Sequence, residues 1–87
     1  MDPQACWRRI LEAVEDNDQA EVDGALRDLW DWFVRGGFAP TASPELAKPV
    51  VASHGMLEVV IDGDHLVLRG YNAMMEPTDS YPFSTDT

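Results

Sequence analysis

A chain of 87 residues has room for one hydrophobic core and no second domain, and a domain this small buries only roughly 60–65% of the surface its unfolded chain exposes. Apolar residues at 45% and charged residues at 25% argue against wholesale disorder. Sixteen Asp and Glu against six Lys and Arg give a formal net charge of -10, which argues against direct binding to nucleic acid or to an anionic membrane, since both need clustered bases.

The first ten residues, MDPQACWRRI, contain no apolar signal core, and no run approaches the ~18 apolar residues of a membrane span. One cysteine, Cys6, leaves no internal disulfide and suits a reducing, cytoplasmic setting.

A first helix is expected over residues 3–16. Trp7, Ile10, Leu11 and Val14 follow the i, i+3, i+4, i+7 spacing of one helix face, Asp2 can cap the first turn, and Pro3 suits the first helical position. Asp18, three residues before Glu21, resembles a capping box and starts a second helix over 19–35. Its inner stripe is Val22, Leu26, Leu29 and Phe33, and the short connection makes the two helices an antiparallel hairpin. Gly24 lies inside this helix with no evident reason, at a cost of about 1 kcal/mol relative to Ala. Gly36-Gly37 ends the helix through a left-handed closing residue, with Arg35 favouring the C-terminal dipole and Phe38 able to fold back.

Residues 36–49 read as a linker rich in Pro, Ala and Ser, with room for one helical turn begun by Ser43-Pro44. Residues 56–71 carry the clearest β signal, two β-branched runs flanking a Gly-Asp pair. With Gly63-Asp64 as the loop, Leu57, Val59, Ile61, Leu66 and Leu68 share one face, while Glu58/Arg69 and Asp62/His65 pair opposite charges on the other. Val50 and Val51 can add a third, short strand. Residues 76–87, rich in Pro, Ser, Thr and Asp, read as a flexible tail. The expected class is therefore α+β: an antiparallel helical hairpin packed on a two- or three-stranded antiparallel sheet, forming one domain over 1–75.

No catalytic or cofactor site emerges. Asp62, Asp64 and His65 cluster at the turn with His54 not far off in sequence, but the spacing fails the calcium-loop pattern and the set is too sparse for zinc. Cys6, at the margin of the first helix's apolar face, reads as a core-edge residue, and Gly36-Gly37 follows a helix, the wrong end for phosphate.

Two features point outward. Glu12, Glu15, Asp16, Asp18, Glu21 and Asp23 surround the helical connection with no Lys or Arg among them, forming a candidate acidic patch. A surplus of aromatic and methionine side chains is the other. Trp30 and Trp32 fall roughly 160° apart on the second helix and cannot both enter one core. With Tyr71 and Met74 they make a candidate interaction surface, Trp32 being the one expected to cover the linker or meet a partner. The expected function is a small acidic protein-binding module without catalytic activity, engaging a protein partner or a second copy. The alternative is an acidic mimic that occupies a basic nucleic-acid-binding protein.

Overall fold

The computed structural model describes residues 1–43 and 49–85. Two helices, α1 (Pro3–Glu15) and α2 (Gln19–Val34), lie against an antiparallel sheet of four strands in the order β2 (Val50–Val51), β3 (Leu57–Asp62), β4 (His65–Tyr71) and β5 (Pro77–Pro82). A separate parallel pair joins β1 (Thr41–Ala42) to β6 (Ser84–Thr85). The protein is an α+β domain.

Asp2 caps α1 by accepting from the Gln4 and Ala5 amides. The helix ends in a closed motif around Asn17, whose left-handed φ of 56° lets its own amide reach Val14 O and the Asp18 amide reach Ala13 O. Asp18 then accepts from the Glu21 amide and starts α2, so one residue finishes the first helix and caps the second. The capping box is only half formed, because the Glu21 carboxylate turns to Arg9. At the far end of α2 the same closing motif recurs: Gly36, at φ 85°, donates to Phe33 O and Gly37 donates to Trp32 O.

The helical hairpin buries Cys6, Trp7, Ile10 and Ala13 of α1 and Val22, Ala25, Leu26, Leu29 and Phe33 of α2. Leu11 and Val14, expected inside, are only half-buried at its edge. Cys6 donates its thiol to Ala25 O, and burial raises its pKa, which keeps the sulfur protonated. Arg9 binds both Glu21 and Asp28, tying α1 to α2 across Gly24, where a Cβ would lie 3.5 Å from the Arg9 guanidinium.

The hairpin register is the one that the charge pairing favours, from Glu58 opposite Arg69 to Asp62 opposite His65, with Gly63 at φ 60° in the turn. Neither opposed pair closes to an ion pair among the described residues; Glu58 instead accepts the Tyr71 hydroxyl. Val59, Leu66 and Leu68 enter the core, whereas Ile61, on the same face nearer the turn, is 48% exposed. Val67, on the opposite face, is buried. Val50 and Val51 pair with Val59 and Glu58 as the third strand.

The C-terminal segment corrects the sequence expectation. Pro77–Pro82 adds a fourth strand beside β4, and Phe83 continues it by donating its amide to Leu66 O. Of the stretch read as a tail, only residues 86 and 87 lie outside the described residues. Tyr81 faces the helices and stacks on Phe33, with ring centroids 5.2 Å apart, and Phe83 meets Trp7 edge-on at 4.8 Å. Because Phe83 pairs with Leu66 and Tyr81 with Leu68, the intervening Pro82 has its backbone nitrogen directed away from β4. An edge strand can hold proline there because no amide proton is required.

The linker is likewise more ordered than its composition suggests. The Gln4 side chain donates to Thr41 O and accepts from the Thr41 amide, pinning β1 to the start of α1, and Ala42 is buried. The turn expected at Ser43-Pro44 extends into residues 44–48, outside the described residues.

Candidate interaction surface

Trp30 and Trp32 project from opposite flanks of the α2 stripe, and both are half-buried. Trp30 reaches the sheet. Its ring lies on Gly70, where a Cβ would come within 2.8 Å of Cζ2, and meets Tyr81 edge-on at 5.2 Å. Trp32 turns the other way and covers the start of the linker. Its Nε1–H donates to Phe38 O over 2.9 Å, and its ring lies on Gly37, where a Cβ would sit 2.5 Å from Cδ2.

The four residues expected to form one interaction surface are therefore divided. Trp30 and Tyr71 line a groove of ≈ 460 Å³ between α2 and the sheet, together with Met56 and His54. Trp32 lines another groove, ≈ 400 Å³, between the first turns of α1 and the last turns of α2. Asp31, between the two indoles in sequence, borders both grooves. Met74 belongs to neither lining; it is 79% exposed in the turn where Asn72 accepts from the Met74 and Glu76 amides.

Phe38, absent from the expected set, is 69% exposed with its ring edge-on to Trp32 at 5.6 Å. Met1 and Val34 are exposed as well. The signal for Phe38 was its position, two residues after a helix-closing glycine, where the chain has already left the core.

The acidic patch separates in another way. Glu12, Glu15, Asp16 and Asp18 are exposed at the helical connection. Glu21 is bound to Arg9. Asp23 accepts from the Ser53 amide at 2.8 Å, from the Ser53 hydroxyl and from Gln19 Nε2 at 2.8 Å. These donors, led by the Ser53 hydroxyl, lower the Asp23 pKa and fasten the loop before β3 to α2. Because the helices are antiparallel, the remaining acids and the Trp32 groove lie at opposite ends of the hairpin, about 20 Å apart at 1.5 Å per residue.

At the hairpin turn Asp62 stands opposite His65, while His54 Nδ1 accepts from the Met56 amide at 3.0 Å. Among the described residues, no three of His, Cys, Asp and Glu converge closely enough to hold a metal ion. No helix among them is long and apolar enough to cross a membrane. No family model, curated protein or solved structure matches the chain.

Proposed function

We propose that this protein is a small acidic protein-binding module without catalytic activity, and that its docking face is the open end of the helical hairpin. The observation that carries this reading is Phe38: of eight aromatic residues it is the one left exposed, on a backbone fixed by the closing motif of α2. An aromatic ring held at a rigid corner contributes apolar contact to a partner at little cost in conformational entropy. The net charge of -10 favours a basic partner over a second copy, because two copies repel each other. A cytoplasmic setting is part of the proposal, in keeping with the lone, protonated Cys6.

The second reading, mimicry of nucleic acid, rests on Glu12, Glu15, Asp16 and Asp18, exposed together at the helical connection. Affinity capture on the immobilised protein separates the two. The module reading expects partners retained by the wild type and lost with Phe38→Ser. Mimicry expects Phe38→Ser to change nothing, and reversal of Glu12, Glu15 and Asp16 to abolish retention. Retention that survives both sets of variants overturns both readings.

A further inference from the structure

We propose that Met56, Met74 and Met75 form a reversible oxidation site, at which peroxide converts thioether to sulfoxide and loosens the loop before β3, independently of the docking face. Methionine is ordinarily a filler of buried gaps, yet none of the four methionines of this chain enters the core. Met1 precedes α1; the other three gather where β3 begins and β4 ends.

Backbone bonds bring them together. Met56 O accepts the Tyr71 amide at 2.8 Å, which joins the residue before β3 to the end of β4. The chain then turns through residues 72–76, where the Met75 amide donates to Asn72 O and Asn72 Oδ1 accepts from the Met74 and Glu76 amides. Met75 takes a left-handed φ of 61° in that turn and reaches back over the other loop, its methyl carbon 3.4 Å from where a Cβ on Gly55 would stand. That loop is closed by the Gly55 amide on Ala52 O, so the Met75 side chain bridges two connections of the sheet. All three sulfur-bearing side chains remain open to water, Met74 at 79%, Met75 at 53% and Met56 at 36%.

Accessible sulfur chemistry in this protein falls to these side chains. Cys6 is buried, donates its thiol to Ala25 O and stays protonated, so peroxide meets neither an exposed thiol nor a thiolate there. A thioether needs no base to activate it. Its sulfur lone pair attacks one oxygen of hydrogen peroxide, and the S–O bond forms as the O–O bond breaks. The departing hydroxide takes the proton from the transferred oxygen and becomes water, so the sulfur is oxidised and the peroxide reduced. Methionine sulfoxide reductases, one for each sulfoxide epimer, return the thioether.

The consequence differs by position. At Met74 the new oxygen meets solvent. At Met75 a polar sulfoxide gives up the apolar contact on Gly55 and leaves the Asp23–Ser53 clamp to hold the loop to α2. At Met56 it makes one wall of the groove beside Trp30 polar.

The test treats nitrogen-15-labelled full-length protein with increasing hydrogen peroxide, maps the oxidised residues by tandem mass spectrometry, and follows the Ser53 and Gly55 amides by NMR. Oxidation is expected in the order of exposure, Met74 before Met75 and Met75 before Met56, with Cys6 and the three tryptophans unmodified. The Gly55 amide is expected to move in step with oxidation of Met75, to exchange several-fold faster, and to return on treatment with the two reductases. Met75→Leu, which keeps an apolar side chain without a reactive sulfur, is expected to leave Gly55 unmoved at doses that fully oxidise Met74.

Methionines 56, 74 and 75 that stay reduced at a dose that fully oxidises Met1 overturn the site, as does oxidation of Cys6 ahead of them. A Gly55 amide unmoved by oxidation of Met75, or one that still moves in Met75→Leu, overturns the coupling to the loop. Sulfoxides that the reductases leave in place overturn its reversibility.

Discussion

Trp32 lies flat against Gly37, so closely that a Cβ at that glycine would come within 2.5 Å of the ring. The two glycines at the end of α2 consequently serve different purposes: Gly36 supplies the left-handed φ of 85° and Gly37 supplies space. Gly36→Ala is expected to cost about 1–2 kcal/mol through backbone strain alone. Gly37→Ala is expected to cost about 2 kcal/mol by displacing the indole and its hydrogen bond to Phe38. A double-mutant cycle with Trp32→Ala distinguishes them, since the Gly37 penalty should largely vanish once the ring is gone and the Gly36 penalty should not. Urea denaturation gives each value.

Phe83 completes the core from the end of β5. Phe83→Ala is expected to cost about 3–4 kcal/mol, a large share of the roughly 4–13 kcal/mol that a domain of this size has. Amide exchange should then accelerate first along β5 and the edge of β4 it covers. If Phe83→Ala melts with the wild type, the aromatic chain from Trp7 through Phe83 and Phe33 to Tyr81 is not what holds that strand.

Gly24 has room for a methyl group, which would meet the Arg9 guanidinium at an ordinary contact distance of 3.5 Å. Gly24→Ala should therefore gain helix propensity without a clash and stabilise the protein by about 1 kcal/mol. Thermal melts followed by circular dichroism read the gain, and a loss would mean that Arg9 needs the bare backbone beneath it.

Asp23 links α2 to Ser53 through a carboxylate whose pKa is lowered, first by the Ser53 hydroxyl and then by the Ser53 amide and Gln19. A folded-state pKa below the unfolded one contributes stability that is fully present above pH ~4 and is lost as pH falls through the folded value. Asp23→Ala should cost about 1 kcal/mol at neutral pH, a small figure because the site is open to water. The same variant should flatten the stability profile below pH ~4. An unchanged profile would detach the loop clamp from acid stability.

The helices and the β3–β4 hairpin were legible because short-range rules decide them. Asp2, Asp18 and Gly36 mark helix ends by backbone chemistry, and the opposite charges across Gly63-Asp64 favour one register. That register forms although the charges do not close on each other, because the same alignment also puts Val59, Leu66 and Leu68 on the buried face. The segment from Pro77 was illegible by composition, since Pro, Ser, Thr and Asp describe both a tail and a blunted edge strand. Its signature was the alternation of Tyr81, Pro82 and Phe83, with rings inward and proline outward. Tyr81 and Phe83, the two rings of the apparent tail, are what bring it into the core, against Phe33 and Trp7.

For the candidate surface, helical geometry set Trp30 and Trp32 apart and sent Trp32 to the linker. It could not show that Gly70 lies under Trp30, because that contact joins elements distant in sequence. Nor could it separate the acids at the helical connection from Glu21 and Asp23, whose partners Arg9 and Ser53 come from other elements.

The contact between Trp7 and Phe83 joins residues near opposite ends of the chain. Closing so long a loop is entropically costly, and topologies rich in distant contacts fold slowly. The helical hairpin, the β3–β4 hairpin and the β4–β5 pair can each form from neighbouring residues, so the long closure is the docking of the sheet on the helices. Pro82 guards the edge that the sheet then presents: the outer side of β5 lacks an amide proton at that position, so the sheet is poorly suited to growing further by pairing with another chain.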